Sequence, residues 1–281
     1  MNIPKEKNET TFETVHTAHY TFTIEKKLRK TMDGIPINWH YLVGSHIKPC
    51  LSLYIPTENY SKLIQKKADA AKLINLKALD TCIENEVSDE TFEKYSFGKE
   101  LLNMILDILK KDFKYIRHLE LSDDSHIPCN RELLDEVDLL TYSIAHYGKT
   151  WYEQNYNAYL VPKEKMETYR TQVANYMSEE FKAKYDWNTF LNTHVGECTE
   201  DAYTMIKAKY YEWEDLFNKT KTFPEFFLAI RNQIPRQKKC MFYRDWLQRF
   251  IYSCIRIERE WVIDIPKKKG GRRRVRTRRI K

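Results

Sequence analysis

Glycine is scarce in this chain, seven among 281 residues. A glycine-rich cradle lets bare backbone approach a nucleotide phosphate, so the scarcity weighs against such a loop. The six cysteines (Cys50, Cys82, Cys129, Cys198, Cys240 and Cys254) are scattered, with no pair at CxxC spacing. In a chain of this length they read as reduced thiols, several of them in the core. No apolar run is long enough to span a bilayer. The opening MNIPKEKNETTFETVH is polar and lacks the apolar segment of a secretion signal. The sequons at Asn8, Asn59 and Asn218 are therefore chance matches. A reducing, intracellular compartment is expected, without membrane contact.

What is present suffices for a packed core: 42% hydrophobic and 14% aromatic residues. The length allows one large domain or two ordinary ones. The net charge of +7 is unevenly placed. Residues 267–281, KKKGGRRRVRTRRIK, hold ten of the 47 basic groups and no acid, leaving 37 basic against 40 acidic residues in the body. A basic arm on a slightly acidic body is the composition of a tethered polyanion contact. The expected contacts are Lys267, Lys268, Lys269, Arg272, Arg273, Arg274, Arg276, Arg278, Arg279 and Lys281, in a tail expected to be disordered when free.

Along the chain, residues 1–15 read as a flexible lead. Strands are expected at His19–Ile24, Trp39–Val43 and Leu51–Ile55, with a turn at Asp33-Gly34. A short helix is expected from Ser61 to about Ala71, and a strand over Leu73–Cys82. Leu102, Ile105, Leu106 and Leu109 fall at helical spacing. Tyr115 to Leu121 alternates as a strand and ends at Ser122-Asp123-Asp124-Ser125. A second helical region runs through Leu139, Leu140 and Ile144 to Tyr147–Glu153, and Ala158–Val161 reads as a short strand. After Pro162 the pattern is helical until a strand at Trp261–Ile265. Its aromatic stripes are core.

The order of these elements resembles the GNAT-type N-acetyltransferase fold over roughly residues 16–161. That family places a strand before a pyrophosphate loop, then a helix, a strand, a helix carrying a tyrosine, and a closing strand. The family loop, Gln/Arg-x-x-Gly-x-Gly/Ala, falls on Glu93-Lys94-Tyr95-Ser96-Phe97-Gly98. Gly98 matches, Lys99 follows it, and Glu93 sets a carboxylate where a donor or cation is expected. Trp151-Tyr152-Glu153-Gln154-Asn155-Tyr156-Asn157-Ala158 looks like the family's aromatic-Tyr-Glu-Lys-x-Gly-Phe segment. The resemblance implies Tyr152 as general acid, Gly98 and Lys99 at the cofactor, and acetyl-coenzyme A as that cofactor. Tyr147–Glu153, Ser122–Ser125 and the GGRRR-type tail also resemble an uncharacterised protein family of large nucleocytoplasmic DNA viruses. That resemblance spans about residues 70–234. It implies a protein made in infected host cells, in cytoplasm, nucleus or virion, with virion or host proteins as further partners.

Other chemistry finds less support. Gly148-Lys149-Thr150 ends like a P-loop, but the upstream glycine is missing. The eight histidines are dispersed, His16 and His19 three apart, and no metal site is expected. Asp123, Asp124 and His126 would act as a base near Tyr152 if strand and helix end together. Cys129 with a histidine would make a nucleophile pair if the fold joined them.

The expectation is an α+β protein: a GNAT-like mixed sheet with flanking helices over 16–162, a helical region over 163–266, and the basic tail. The leading function is non-enzymatic and needs no cofactor: a viral nucleic-acid- or virion-associated protein touching polyanions through its tail. The alternatives are an N-acetyltransferase and an interaction scaffold whose tail is a nuclear-import address.

Overall fold

The computed structural model describes residues 10–44, 49–63, 68–76, 97–123, 126–130, 135–195, 200–234 and 242–266. The expected disordered tail, 267–281, lies outside them, as do Glu93 to Ser96 and Asp124.

Alternating β-branched and aromatic residues build an antiparallel meander of β1 (Thr10–His16), β2 (Thr21–Lys30), β3 (Pro36–Gly44), β4 (Pro49–Pro56) and β5 (Ala70–Leu76). Phe22 and Ile24, Tyr41 and Val43, and Leu51, Leu53 and Ile55 are buried. The lead expected over residues 1–15 thus carries strand β1, because its threonines, Phe12 and Val15 pair along β2. The helix expected from Ser61 is shorter and earlier, α1 (Glu58–Leu63). Ala70 and Ala71 belong to β5 instead, drawn in by pairing with β6.

Helix α2 (Phe97–Asp112) follows, burying Leu101, Leu102, Ile105, Leu106 and Leu109. It leads to β6 (His118–Ser122), which pairs with β5 in parallel. Tyr115 and Ile116, expected in this strand, lie in the turn before it, where the Ile116 amide donates to the Phe113 carbonyl. The pairing ends at Leu73↔Leu121. Beyond that point β5 stays with β4, and a register shift opposite Ser52 and Leu53 leaves Ile74 as an extra residue.

A hairpin absent from the sequence reading, β7 (His126–Asn130) with β8 (Asp135–Asp138), precedes α3 (Leu139–Tyr147) and α4 (Trp151–Tyr156). Gly148 separates these helices at φ 64°, and a Cβ there would meet the Met177 Sδ at 2.6 Å. The expected strand Ala158–Val161 is reduced to a bridge between Tyr159 and Val262.

The helical region comprises α5 (Lys163–Tyr176), α6 (Glu179–Lys182), α7 (Trp187–Val195), α8 (Glu200–Ala208), α9 (Tyr210–Lys219) and α10 (Phe223–Arg231). A π-helical stretch (Tyr243–Gln248) then runs into α11 (Arg249–Cys254). The chain returns to the sheet as β9 (Glu260–Asp264), antiparallel to β6. Among the described residues the main sheet is mixed and seven-stranded, ordered β1-β2-β3-β4-β5-β6-β9. Among the described residues one contiguous apolar core runs from Tyr20 to Ile265. Cys50, buried in β4, is disulfide-bonded rather than reduced, and its partner is not among the described side chains. Scattered spacing along the chain does not reveal which cysteines folding brings side by side. Among the described residues, no helix is long and apolar enough to cross a membrane.

Candidate functional site

Of the residues singled out by the acetyltransferase resemblance, Gly98 and Lys99 lie in the first turn of α2 and Tyr152 in the first turn of α4. Phe97 anchors the start of α2, its ring edge-on to Tyr20 at 5.3 Å and to Phe22 at 5.5 Å. Gly98 follows in ordinary helical conformation, and a Cβ there would meet nothing within 4 Å. Neither backbone strain nor packing therefore demands glycine at this position. Lys99 is exposed, and its carbonyl accepts from the Tyr156 hydroxyl at 3.3 Å, which also reaches Asn103 Oδ1 at 3.2 Å. That contact brings α4, the helix of Tyr152, alongside the first turn of α2.

Glu100 fixes the β1–β2 turn to the same helix. Its Oε2 accepts from the Thr17 hydroxyl at 2.5 Å and from the His19 amide at 3.3 Å, and its Oε1 pairs with the His19 imidazole. Burial pushes this carboxyl upward, but the bonds from Thr17 and His19 outweigh it and leave the pKa below its ordinary value. Between β1 and the outer face of α2 lies an open groove of about 780 Å³. Glu13, Glu100, Asp107 and Asp112 face it against Lys99 and Lys111. A groove with this excess of carboxylates disfavours a pyrophosphate.

Tyr152 is 1% exposed. Its short helix is set by a capping box: the Thr150 hydroxyl accepts from the Glu153 amide at 3.1 Å, and Glu153 Oε2 accepts from the Thr150 amide at 2.9 Å. Asn157 ends the helix at φ 53°, the left-handed conformation that asparagine tolerates better than most residues. The same Glu153 oxygen accepts from the Tyr169 hydroxyl of α5 at 2.7 Å. Burial first, and the Glu153 and Asp123 charges after it, push the Tyr169 hydroxyl far above its ordinary pKa. Tyr169 is therefore a hydrogen-bond donor and stays protonated.

The Asp123 charge acts on Tyr169, whose hydroxyl bonds Glu153 in the first turn of α4. Asp123 is 1% exposed, its amide donating to the Arg259 carbonyl at 2.7 Å. Arg259 in turn donates to the Asp123 carbonyl at 2.9 Å and to Asp138 Oδ2 at 2.9 Å. Asp123 is thus a buried joint between β6 and β9. His126 and Cys129 take their places in β7, and nothing is described of their side chains. His118 and Tyr159 both bond Asp264 at 2.9 Å on the surface. His16 meets the Thr21 hydroxyl at 3.0 Å. Among the described residues no three His, Cys, Asp or Glu side chains converge as a metal site would require.

The sequence missed Tyr156, Tyr169 and Glu100 as members of this corner. Tyr156 was readable in principle, one turn after Tyr152 on the same helix. Tyr169 and Glu100 depend on which elements pack together. Comparison with protein-family models, curated proteins and solved structures gave no match.

Proposed function

We propose that this protein is a non-enzymatic nucleic-acid- or virion-associated protein of a large DNA virus that contacts polyanions through residues 267–281. The carrying observation is the charge division: ten basic residues and no acid in that segment, against 37 basic and 40 acidic residues elsewhere. Such a segment binds nucleic acid by releasing condensed counterions, without reading sequence. Its arginines add bidentate grip on phosphates, where its lysines act as point charges. The body supports the same reading. Tyr152, which an acetyltransferase would use as acid, is buried, and the groove beside Lys99 is predominantly acidic.

The test is a filter-binding salt titration on the full chain and on a chain ending at Pro266. With about six to ten phosphates contacted, affinity of the full chain falls ~10³–10⁵-fold between about 50 and 200 mM salt. The shortened chain keeps its circular dichroism and loses binding. Equal binding by both chains would overturn the proposal.

A second reading, an N-acetyltransferase using acetyl-coenzyme A, is favoured by one observation. Helix α2 joins parallel strands β5 and β6, which part after Leu73 and Leu121 near the tyrosine-bearing helix, and Tyr159 closes the sheet edge against β9. Calorimetric titration with acetyl-coenzyme A decides it. On the leading proposal no micromolar binding is seen. Binding that is lost in Gly98→Asp, a substitution the open space above Gly98 accommodates, would establish the enzyme instead.

A further inference from the structure

Among the described residues β1 is the terminal strand of the main sheet, paired with β2 alone. Its N–H and C=O groups that point away from β2 recur at alternate positions along a strand of roughly 23 Å. Native sheets commonly blunt such an edge with lysine, proline or a bulge. β1, Thr10-Thr11-Phe12-Glu13-Thr14-Val15-His16, has no lysine or proline, and its register against β2 is unbroken. Every residue of it except the half-buried Val15 is exposed, Phe12 at 69%. Glu13 lies opposite the buried Ile24, on the face that α2 covers, and Phe12 lies on the other face.

The open groove of about 780 Å³ runs along this edge, with Val15, Ala18, Met104 and Ile108 as its apolar lining. The stripe of α2 that faces it, from Lys99 to Asp112, is roughly 20 Å long, close to the length of β1. An extended segment laid along β1 would therefore have the helix beside it throughout. Glu13, Asp107 and Asp112 are exposed. Lys26 reaches Glu13 and Lys110 reaches Asp107 at 3.4 Å, surface pairs of small worth. Among the described residues Asp112 makes no ion pair. Burial first, then the Asp112 and Glu13 charges, push the Tyr41 hydroxyl up, which places these two carboxylates near one ring. Lys99 and Lys111 offset part of the negative charge and leave an excess of carboxylate.

The chain itself carries a segment of matching pattern. Residues 272–279 read Arg-Arg-Arg-Val-Arg-Thr-Arg-Arg. Arg274, Arg276 and Arg278 alternate with Val275 and Thr277, so an extended chain sets arginines on one side and β-branched residues on the other. The segment starts within reach of the groove. The Ile265 amide donates to the Arg117 carbonyl at 2.8 Å, and only Phe113 to Ile116 separate Arg117 from Asp112. That interval spans at most ~18 Å, whereas the chain from Pro266 to Arg274 extends up to ~29 Å. We propose that residues 272–279 add to β1 as a further strand, with Arg274, Arg276 and Arg278 in the groove on Asp112, Asp107 and Glu13, and with Val275 and Thr277 against Phe12. Guanidinium forks hold carboxylates bidentately. Glu13, on the inner face of the edge, repels an acidic strand, wastes an apolar one and admits this one. The groove holds the tail until a polyanion takes it, and the docking itself does not rest on the polyanion reading.

The test follows amide hydrogen exchange of β1 by mass spectrometry in three full-length chains, at about 50 mM salt so that exposed charges are little screened. One is native, one carries Arg274→Glu, Arg276→Glu and Arg278→Glu together, and one carries Asp107→Lys with Asp112→Lys. Both aspartates are exposed, and lysine suits the end of a helix, so the last chain keeps its fold. The outward amides of β1 should exchange about tenfold or more slowly in the native chain than in either variant. Oligothymidylate of ~12 residues, added to the native chain, should release the tail and raise β1 exchange to the variants' rate. The aspartate variant keeps its tail intact and should bind that oligonucleotide tighter by the same factor of about ten, since no docked state competes. Equal β1 exchange in all three chains would overturn the docking. So would a dimer in sedimentation whose dilution frees β1, which places the tail on a second copy. Oligonucleotide affinity unchanged in the aspartate variant would sink the competition. The two readings fail separately. Protection of β1 without oligonucleotide binding overturns the polyanion contact alone, and oligonucleotide binding with β1 unprotected overturns the docking alone.

Discussion

The sheet half of the molecule and its helical half are joined by different forces. In the sheet half, buried and half-buried carboxylates hold the joints. Glu100 ties the β1–β2 turn to α2. Asp138 caps α3 through the Leu140 amide at 3.0 Å and holds Arg259 at 2.9 Å. Glu153 ties α4 to Tyr169. In the helical half, rings hold the joints. Phe190 of α7 packs against Phe217 at 5.3 Å, Phe223 at 5.2 Å, Trp246 at 5.2 Å and Phe250 at 5.1 Å. Carboxylate joints are directional and titrate; ring joints scale with buried area and ignore pH. The joints of the sheet half are therefore set by bond direction, and those of the helical half by ring packing.

Four substitutions can break or sharpen this contrast. Phe190→Ala removes the hub of the ring cluster and should cost about 3–5 kcal/mol, read by urea denaturation at constant pH. A loss below ~1 kcal/mol would show that the rings repack freely. Asp138→Ala removes a helix cap and a charge-assisted bond together. Because Arg259 remains partly solvated, the cost should be ~2–3 kcal/mol and should shrink in high salt. A loss independent of salt would make the joint one of packing.

Glu100→Gln should cost about 1 kcal/mol near neutral pH. Its carboxyl is held below its ordinary pKa when folded. The stability it contributes is therefore complete above that ordinary value and is lost as pH falls through the folded one. Thermal midpoints measured from neutral into acid should fall less steeply for Glu100→Gln than for the native chain. Parallel curves would remove Glu100 from the account of acid sensitivity. Tyr152→Phe is the smallest step. The buried ring stays and only its hydroxyl is lost, so ~0.5–1.5 kcal/mol is expected, with no change in nucleic-acid binding. Loss of a measured acetyl transfer with the fold intact would make Tyr152 a catalytic acid.

Local pattern made some of this legible and partner choice hid the rest. Trp39–Val43 and Leu51–Ile55 were readable as strands because each alternates and is bounded by turn residues, and β3 and β4 contain them. Thr222 before Phe223-Pro224-Glu225 announces α10, and its capping box is present. The β7–β8 hairpin is too short and polar to carry a period. The bend at Lys209 splits one apolar stripe into α8 and α9 without a glycine or proline to mark it. In the candidate corner, Tyr152 and Gly98 stood out by motif. The burial of Tyr152 and the open space above Gly98 are properties of the packed fold that a motif does not carry.

The pairing of β6 with β9 also bears on how the chain is made. His118 and Asp264 face each other across that ladder although 146 positions separate them. Closing so long a loop is slow, whatever the final stability. During synthesis β6 emerges early, with Leu119 and Leu121 along an edge that nothing yet covers. At ribosomal speed that edge waits on the order of ten seconds for its neighbour. A bare strand edge is a template for pairing with other chains. The late strand thus makes the nascent protein, more than the finished one, the species that a chaperone must guard.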